Sequence, residues 1–530
     1  EGLFALALLY LGAMSLGQGL SFVYGYLAAA LAQDTLSGLR VRLFGHLQNL
    51  PASYFDHTPL GDAISRCTAD IDTLDRMFTS GVATLVANLF RLVTIAPAMI
   101  VLSPMLSLAA AVSQPPLIAL TRYFQVRIRD AERASRQAVA EMNTHLQETL
   151  SGVEVVQAFR REASFVARFR RVLERVLQTA NRSTVYSSFY PPITALMTYI
   201  AIAFLLWIGT REAFTEFGIS IGTLTAFALL LQRFFTPVTA LGDEWQTVQG
   251  ALSGAERIFE VLALPADTQA TTTQSREDDG IVCENVVFGY AAGTPVLHGV
   301  TLHVAKGEHV ALVGRTGAGK TSIVHLLAGL YDPWQGSVRI AGRCPRELSD
   351  EEKRKTFGIV PQTPQLFSGS VLENLALGDE RVPPSAVYEA AAVTGADTFI
   401  RSLPNGFQTL LRGSGGGPGV QLSAGQVQLL TLTRALVSRP SVLLFDEATS
   451  FIDGASEAAL RDALRRTVLK RGAAVLTVAH RLATAREAHR VVVIDNGRIV
   501  ETGAPETLVA SAGRFAALLE VEAAGWDWEK

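Results

Sequence analysis

A glycine-rich octapeptide, Gly314-Arg-Thr-Gly-Ala-Gly-Lys-Thr321, is the strongest chemical signal in the chain, because it fits the phosphate-binding P-loop pattern. It follows an apolar run at 309–313 and opens a helical pattern at 321–330, the strand–loop–helix context that this loop requires. Backbone N–H groups of such a loop surround phosphates, Lys320 would reach the β- and γ-phosphates, and the Thr321 hydroxyl would contact Mg²⁺. The spacing therefore predicts a site for a nucleoside triphosphate with Mg²⁺.

Two adjacent carboxylates, Asp446 and Glu447, directly follow the apolar run Val442-Leu-Leu-Phe445. In P-loop enzymes an aspartate at the tip of a buried strand supports the Mg²⁺ ion, and a neighbouring carboxylate can polarise the attacking water. An exposed acidic strand end is the alternative interpretation, and the P-loop makes it much weaker. The pair predicts hydrolysis of the bound triphosphate.

The composition of the 530 residues indicates a chain with a membrane part and a water-soluble part, because 49% are hydrophobic and the mean hydropathy is positive. The formal net charge of −3 argues against a nucleic-acid partner, since nucleic-acid binders usually carry a basic excess. The three cysteines, Cys67, Cys283 and Cys344, lack metal-ligand spacing and imply no disulfide framework.

Five apolar stretches are interpreted as membrane helices, for which about 20 residues suffice; they lie at 3–32, 77–102, 105–120, 189–208 and 219–241. Long arginine-rich connections at 33–76 and 121–188 are assigned to the cytoplasmic side. The short connections at 103–104 and 211–218 then lie outside. The helical pattern of the long connections predicts extensions that project far from the bilayer, about 45 Å for some 30 residues.

The C-terminal half has a different character. After a polar segment at 264–280, interpreted as a linker, β-type runs alternate with helical patterns. The runs lie at 281–290, 309–313, 358–360, 442–445, 475–478 and 491–494. We therefore predict a helical transmembrane domain at 1–263 with long cytoplasmic extensions, followed at 281–530 by an α/β P-loop domain whose sheet is largely parallel.

The order of the motifs resembles that of the ABC transporter superfamily. Leu422-Ser423-Ala424-Gly425-Gln426 is similar to the ABC signature, about 20 residues before the carboxylate pair. Tyr290 matches the aromatic residue that stacks on adenine, and Gln362 matches the Q-loop. Asp453 matches the D-loop, and His480 matches the H-loop. In the membrane part, 54–62 and 148–157 resemble the cytoplasmic loops of type IV exporters. The resemblance covers nearly the whole chain. No single short motif identifies the family, but the complete set of motifs in this order does.

The resemblance implies a half-transporter. Exporters of this family have six membrane helices per subunit, so the five counted here imply that the first helix is absent from this sequence. Two nucleotide-binding domains sandwich two ATP molecules head to tail, and each ATP is held by one subunit's P-loop and the other's signature.

The resemblance also assigns roles to single residues. ATP and Mg²⁺ would be held by Tyr290, Gly314, Thr316, Gly317, Ala318, Gly319, Lys320, Thr321, Ser322 and Asp446, with Thr321, Gln362 and Asp446 as the metal-binding set. The catalytic set would be Glu447 as the base, His480 at the γ-phosphate, Lys320 and Gln362, which also links the site to the membrane domain. Ser423, Gly425, Gln426 and Asp453 would serve the ATP bound by the partner.

The signature departs from the family pattern, because Ala424 replaces the first glycine of the usual pair. The segment 411–420 before it is longer and richer in glycine than the family loop, and the glutamate found there in the family is missing. An intact P-loop side beside an altered signature favours one half of a heterodimer, in which a second half-transporter supplies the better signature. A homodimer remains open.

The functional prediction is an ATP-hydrolysing exporter in the cell membrane, with its nucleotide-binding domain in the cytoplasm. It would move a small amphiphilic substrate (a drug-like compound of the multidrug type, a lipid or a peptide) by alternating access. An importer that uses the exporter fold and a nucleotide-gated regulatory membrane protein are the alternatives, and Glu447 favours the transporter over the latter. Arg91 and Arg233, inside or near apolar stretches, are expected to contact substrate, to form a structural hydrogen bond with another helix, or to extend to the membrane interface.

Overall fold

The computed structural model describes residues 2–209, 220–266, 280–446, 468–479 and 481–524. These residues form two compact units, one of residues 1–44 and 64–261 and the other of residues 45–63 and 262–530. The segment 45–63, between the first two apolar stretches, thus belongs to the same unit as the C-terminal half. The predicted connection at 211–218 and most of the predicted linker at 264–280 lie outside the described residues.

The first unit is built from long helices. The N-terminal half contains α1 (Gly2–Gln48), α2 (Ala52–His57), α3 (Leu60–Ser65), α4 (Ile71–Arg76), α5 (Val82–Leu102), α6 (Pro104–Ser151), α7 (Val153–Ala158), α8 (Glu162–Gly209) and α9 (Ile221–Ala263), with π-helical turns at Arg66–Asp70 and Met77–Gly81. α6 and α8 each have 48 residues and are roughly 70 Å long, more than twice the hydrocarbon core. The predicted helical extensions of the apolar stretches are therefore present.

Apolar exposure on these helices matches a lipid environment. Among the described residues, Phe4–Gln48 and Leu60–Leu102 are long and apolar enough to cross a bilayer, and side chains such as Phe4, Leu9 and Phe22 are more than 70% exposed. The count of five spans stays a prediction. The predicted hairpin between the second and third stretches is present, because α5 ends at Leu102 and Ser103 caps α6 by accepting a hydrogen bond from the Leu106 backbone N–H at 3.4 Å.

Two polar contacts join distant parts of this unit. α6 and α8 pack side by side, and Arg175 Nη1 on α8 lies 2.9 Å from Glu141 Oε2 on α6. The buried Asp70 accepts two hydrogen bonds from Arg257 on α9, one of 3.0 Å from Nε. Beside this pair, Gly254 on α9 lies so close to the segment of Asp70 and Thr73 that a Cβ at this position would be 2.8 Å from Thr73 Oγ1.

The second unit is an α/β domain. Its strands are β1 (Ile281–Phe288), β2 (Leu297–Val304), β3 (His309–Val313), β4 (Gln335–Ile340), β5 (Phe357–Val360), β6 (Gly369–Ser370), β7 (Leu410–Leu411), β8 (Val442–Asp446), β9 (Ala474–Val478), β10 (Arg490–Asp495) and β11 (Arg498–Gly503). Its helices are α10 (Lys320–Leu327), α11 (Asp350–Thr356), α12 (Val371–Ala376), α13 (Pro384–Thr394), α14 (Ala396–Ser402), α15 (Ala424–Val437), α16 (Leu482–Ala485), α17 (Pro505–Ala510) and α18 (Arg514–Ala523).

The sheet order places the predicted site at the carboxyl ends of two central strands. The main sheet has the order β11-β10-β3-β9-β8-β5, in which every pair except β10–β11 is parallel. β3 and β8 are almost wholly buried and apolar, as expected for central parallel strands covered on both faces. Their carboxyl ends therefore lie on the same side of the sheet, and this side carries the P-loop and Asp446. A second sheet, β2-β1-β4, is antiparallel.

Candidate nucleotide-binding site

The loop between β3 and α10 has a backbone that depends on glycine. Gly314 follows the last residue of β3, and a Cβ at this position would lie 2.1 Å from the carbonyl oxygen of Ile494 on β10. Gly319 caps α10 with a φ of +100°, and a Cβ there would lie 2.5 Å from Leu297 Cδ2. Gly314 thus corresponds to a close approach of two backbone segments, and Gly319 to a left-handed backbone conformation that other residues rarely adopt. The loop opens at the N-terminus of α10.

Lys320 is the first residue of α10 and is only 6% exposed. Its Nζ donates hydrogen bonds to the carbonyl oxygens of Gly314 at 2.5 Å and of Arg315 at 3.3 Å. The ammonium group is therefore held over the loop whose N–H groups would surround a phosphate. A helix N-terminus and a held cation together favour an anionic ligand.

Asp446 lies at the end of β8 and is 4% exposed. The Thr321 hydroxyl on α10 donates to its Oδ1 at 3.4 Å. A hydroxyl and a carboxylate oxygen are hard ligands of the kind that Mg²⁺ prefers, and Mg²⁺ in such sites takes its remaining ligands from phosphates and water. The structure therefore brings together two of the three predicted metal-binding residues. The third, Gln362, is exposed and lies two residues after β5, the strand beside β8.

Tyr290, two residues after β1, is positioned by the P-loop helix. Its hydroxyl lies 3.2 Å from Ser322 Oγ and 3.0 Å from His325 Nδ1. The Phe288 and Tyr331 rings meet its ring at 77° and 88°. The contacts are edge contacts and the side chain is 39% exposed, so a ring face can receive a planar base.

Sequence reasoning missed His325 and Tyr331. Burial lowers the pKa of His325, so the neutral imidazole is favoured. Its ring lies 5.9 Å from that of Tyr331, at an angle of 31°. A signal was available for His325, because it lies one helical turn beyond Thr321 and Ser322 on the predicted helix.

The signature-like residues form the N-terminus of α15. Ser423 caps the helix: its Oγ accepts from the Gln426 backbone N–H at 3.3 Å, and its own N–H donates to Gln426 Oε1 at 3.0 Å. Ala424 and Gly425 follow the cap in the first turn. Ser423 is exposed, and the first turn of this 14-residue helix offers free N–H groups to an anion from outside the chain.

A buried polar cluster ties α15 to the segment after Gln362. Arg434 on α15 donates to the carbonyl oxygens of Asn374 and Gln365, both at 2.9 Å. Asn374 in turn accepts from the Phe367 N–H at 2.9 Å and donates to the Phe367 carbonyl at 2.8 Å. Burial lowers the pKa of Arg434. Nothing in the sequence motifs pointed to this cluster, which connects the signature-like helix to the Q-loop-like segment.

Three predicted catalytic or binding residues, Glu447, Asp453 and His480, lie outside the described residues. Their roles stay predictions. In the sequence, Glu447 directly follows Asp446, the last residue of β8, and His480 is the second residue after β9.

Family comparisons agree with the two-part organisation. Residues 2–238 match the ABC transporter transmembrane region, and residues 297–450 match the ABC transporter domain. The chain is 33% identical over 508 residues to the fatty acid ABC transporter ATP-binding/permease protein of Mycobacterium bovis, covering 92% of this chain and 79% of that protein. It is 32% identical over 507 residues to the ATP-dependent lipid A-core flippase of Syntrophus aciditrophicus, covering 95% and 83%.

The fold is also similar to a solved structure, that of a bacterial Atm1-family ABC exporter with ATP bound. The TM-score is 0.75 at 25% sequence identity, and the alignment covers 93% of this chain and 86% of that one. The coverage includes both the helical half and the α/β half. This chain therefore belongs to the ABC transporter family, as a membrane-embedded exporter half-transporter with a cytoplasmic ATP-binding domain that drives transport by ATP hydrolysis.

Proposed function

We propose that ATP binds with Mg²⁺ on the loop between β3 and α10, and that residues 281–530 act as the motor for a transmembrane domain at 1–263 through a linker at 264–280. The contact between Thr321 and Asp446, beside the held ammonium of Lys320, is the observation that carries this proposal. Tyr290 would stack on adenine, while the backbone from Gly314 to Ser322 and Lys320 would hold the phosphates. Thr321 and Asp446 would hold Mg²⁺, which would neutralise the negative charge that develops on the phosphates.

Hydrolysis is assigned to the carboxylate that follows β8. Glu447 would orient and deprotonate the attacking water, and His480 and Gln362 would contact the γ-phosphate side of the site. The exposed first turn of α15, with Ser423, Gly425 and Gln426, would complete the site of a partner subunit, together with Asp453. Because Ala424 adds a methyl group to this turn, we favour a heterodimer whose second half-transporter has the better signature.

The membrane half and the names of two relatives support a proposal for the substrate class. One relative is named as a fatty acid ABC transporter and another as a lipid A-core flippase. We infer an amphiphilic, lipid-like substrate that moves by alternating access between the helices of two half-transporters. Export rather than import is supported by the Atm1-family exporter fold.

The decisive experiment is transport in proteoliposomes that contain this chain and its partner half-transporter. With ATP and Mg²⁺, the wild-type pair should translocate a fluorescent lipid, whereas Glu447→Gln should bind ATP normally and lose turnover by about 100-fold or more. A control change, Glu520→Gln on the exposed face of α18, should leave both rates unaltered. Unchanged ATP turnover in Glu447→Gln would remove Glu447 from the role of base.

A further inference from the structure

The phenol of Tyr290 is anchored to α10 by two side chains that lie one helical turn apart. Its hydroxyl oxygen lies 3.0 Å from His325 Nδ1 and 3.2 Å from Ser322 Oγ. Ser322 and His325 are three residues apart, so they lie on the same face of the helix. The hydroxyl end of the ring therefore has a fixed position relative to the helix that opens the proposed phosphate site.

Three neighbouring rings fix the position of the Tyr290 ring. The centroids of Phe288, Tyr331 and His325 lie 5.0, 5.3 and 6.3 Å from its centroid, at angles of 77°, 88° and 83°. All three contacts are nearly perpendicular, so none of these rings is stacked parallel to Tyr290. The ring is therefore held in place while its side chain stays 39% exposed.

The imidazole of His325 is itself packed in place. Its ring centroid lies 5.9 Å from that of Tyr331, at an angle of 31°. Burial lowers the pKa of His325, and a neutral imidazole has one N–H donor and one acceptor nitrogen. In either tautomer Nδ1 can share a hydrogen bond with the Tyr290 hydroxyl, as acceptor or as donor. The contact therefore does not require a charged histidine.

We propose that His325 is a positioning residue for nucleotide binding, which holds the Tyr290 ring in the orientation that receives the base. This inference rests on the proposed function, in which Tyr290 stacks on adenine. A side chain that is ordered before binding loses less conformational freedom when the ligand arrives, so the affinity is higher. His325 therefore acts through Tyr290 on the affinity for the nucleoside part of the ligand, and not on the phosphates or on the hydrolysis step.

A matched pair of variants tests the hydrogen bond. Leucine and asparagine have nearly the same shape, so His325→Leu and His325→Asn fill a similar volume, but only asparagine offers a polar atom near the position of Nδ1. The measurement is the inhibition of phosphate release by ADP and by inorganic pyrophosphate, in the dimer of this chain with its partner half-transporter. Pyrophosphate has no base and reports on the phosphate site alone.

We expect His325→Leu to raise the inhibition constant of ADP about threefold to tenfold, the size implied by ordering one side chain on binding. The inhibition constant of pyrophosphate and the turnover at saturating ATP should stay within about twofold, because only ground-state binding of the base is weakened. His325→Asn should restore most of the ADP affinity. His303→Ala, which changes an exposed histidine on β2, should match the wild type.

A second background isolates the Tyr290 hydroxyl. In Tyr290→Phe the ring remains but the group that distinguishes the two His325 variants is absent. His325→Leu and His325→Asn should then give equal inhibition constants for ADP, because the coupling between the two positions is lost. A difference of the same size as in the wild-type background would contradict an action of His325 through this hydroxyl.

Other results would also overturn the proposal. An unchanged ADP constant in His325→Leu would mean that Ser322 and the neighbouring rings hold Tyr290 without His325. An equal rise for ADP and pyrophosphate, or a His325→Asn variant no better than His325→Leu, would indicate a merely structural role. If His325→Leu does not fold, Tyr290→Phe alone decides, since it removes the same hydrogen bond, and a wild-type ADP constant there excludes the role. Failure of the proposed function is distinguishable, because ADP would then not inhibit even the wild-type dimer.

Discussion

The hydroxyl of Tyr331 donates a 2.6 Å hydrogen bond to Oδ2 of Asp56, which lies 275 residues earlier in the chain. Asp56 belongs to α2, in the segment between the first two apolar stretches, whereas Tyr331 follows the P-loop helix. Tyr331 also contacts the rings of His325 and Tyr290, and Tyr290 reaches Ser322 of the P-loop. A continuous set of side-chain contacts therefore joins a cytoplasmic connection of the membrane part to the nucleotide site.

Removing the Tyr331 hydroxyl should weaken coupling between ATP hydrolysis and transport. Burial and the hydrogen bond to Asp56 raise the pKa of Tyr331, so the phenol remains a proton donor at neutral pH. Tyr331→Phe keeps the ring contacts and deletes this bond. We expect basal ATP turnover to stay within about twofold while transport per ATP falls about threefold, since residues between coupled sites change the coupling by roughly 0.5–2 kcal/mol.

The measurement for this variant is lipid transport and phosphate release in the same proteoliposomes. Tyr388→Phe is the matched control, because Tyr388 is exposed and its ring packs on Phe407 at 4.6 Å within the same domain. An unchanged transport-to-hydrolysis ratio in Tyr331→Phe would mean that the contact with Asp56 is only structural.

Lys320→Ala should remove most ATP turnover. The ammonium group is held over the P-loop by the carbonyl oxygens of Gly314 and Arg315, so its loss deletes a fixed positive charge at the proposed phosphate position. We expect phosphate release to fall about 100-fold, the usual size for one preorganised electrostatic group. Lys355→Ala is the control, because this exposed lysine is paired with Glu351 on the surface of α11. Retained turnover in Lys320→Ala would place the nucleotide elsewhere.

The local parts of this site were predictable, because each depends on a few adjacent residues. Gly314 and Gly319 mark the loop by their spacing, and the apolar runs of β3 and β8 indicate central buried strands. The edge strand β11 was not predicted, since its residues alternate between partial and full exposure and include no apolar run.

The long-range contacts could not be predicted for a different reason. Arg434 resembles any basic residue of an amphipathic helix, and only the fold brings it to Asn374, 60 residues away. Likewise nothing near Asp56 identifies Tyr331 as its partner. Partners of this kind depend on tertiary packing, which local sequence patterns do not encode.

Asn374→Ala should destabilise the ATP-binding domain and disturb the segment after Gln362. The buried Asn374 side chain satisfies the N–H and carbonyl groups of Phe367, and leaving a buried polar group without its partner costs about 1–3 kcal/mol. We expect the apparent Tm of the purified protein to fall by at least about 2–4 °C. Asn405→Ala, at an exposed turn, should change it by much less. An equal Tm for both variants would show that the cluster is dispensable.

Ala424→Gly should increase ATP turnover if the altered signature limits one of the two sites. An extra methyl group in a close contact costs about 1–3 kcal/mol, so its removal should raise turnover about fivefold or more at that site. The capping bonds between Ser423 and Gln426 do not involve the Ala424 side chain and should persist. Phosphate release by the dimer measures the effect. A Glu447→Gln background silences the ATP site on this chain's own P-loop, so that the remaining turnover reports the site completed by this chain's signature. No increase would assign the reduced activity to another feature of the signature.

Glu308 and Arg490 should make stability depend on pH in a defined direction. Burial alone would raise the pKa of Glu308, but the hydrogen bonds from Arg490 and from the Ala305 N–H outweigh it and lower the pKa overall. A lowered folded-state pKa contributes stability above the unfolded-state value, about 4.3, and this contribution is lost as pH falls through the folded-state pKa. Glu308→Gln should therefore lower the apparent Tm at pH 7, and its difference from wild type should shrink below about pH 4.3. Thermal unfolding at one scan rate between about pH 7 and about pH 3 measures this, with Glu520→Gln as the exposed control. A difference that widens at low pH would contradict the role of the ion pair.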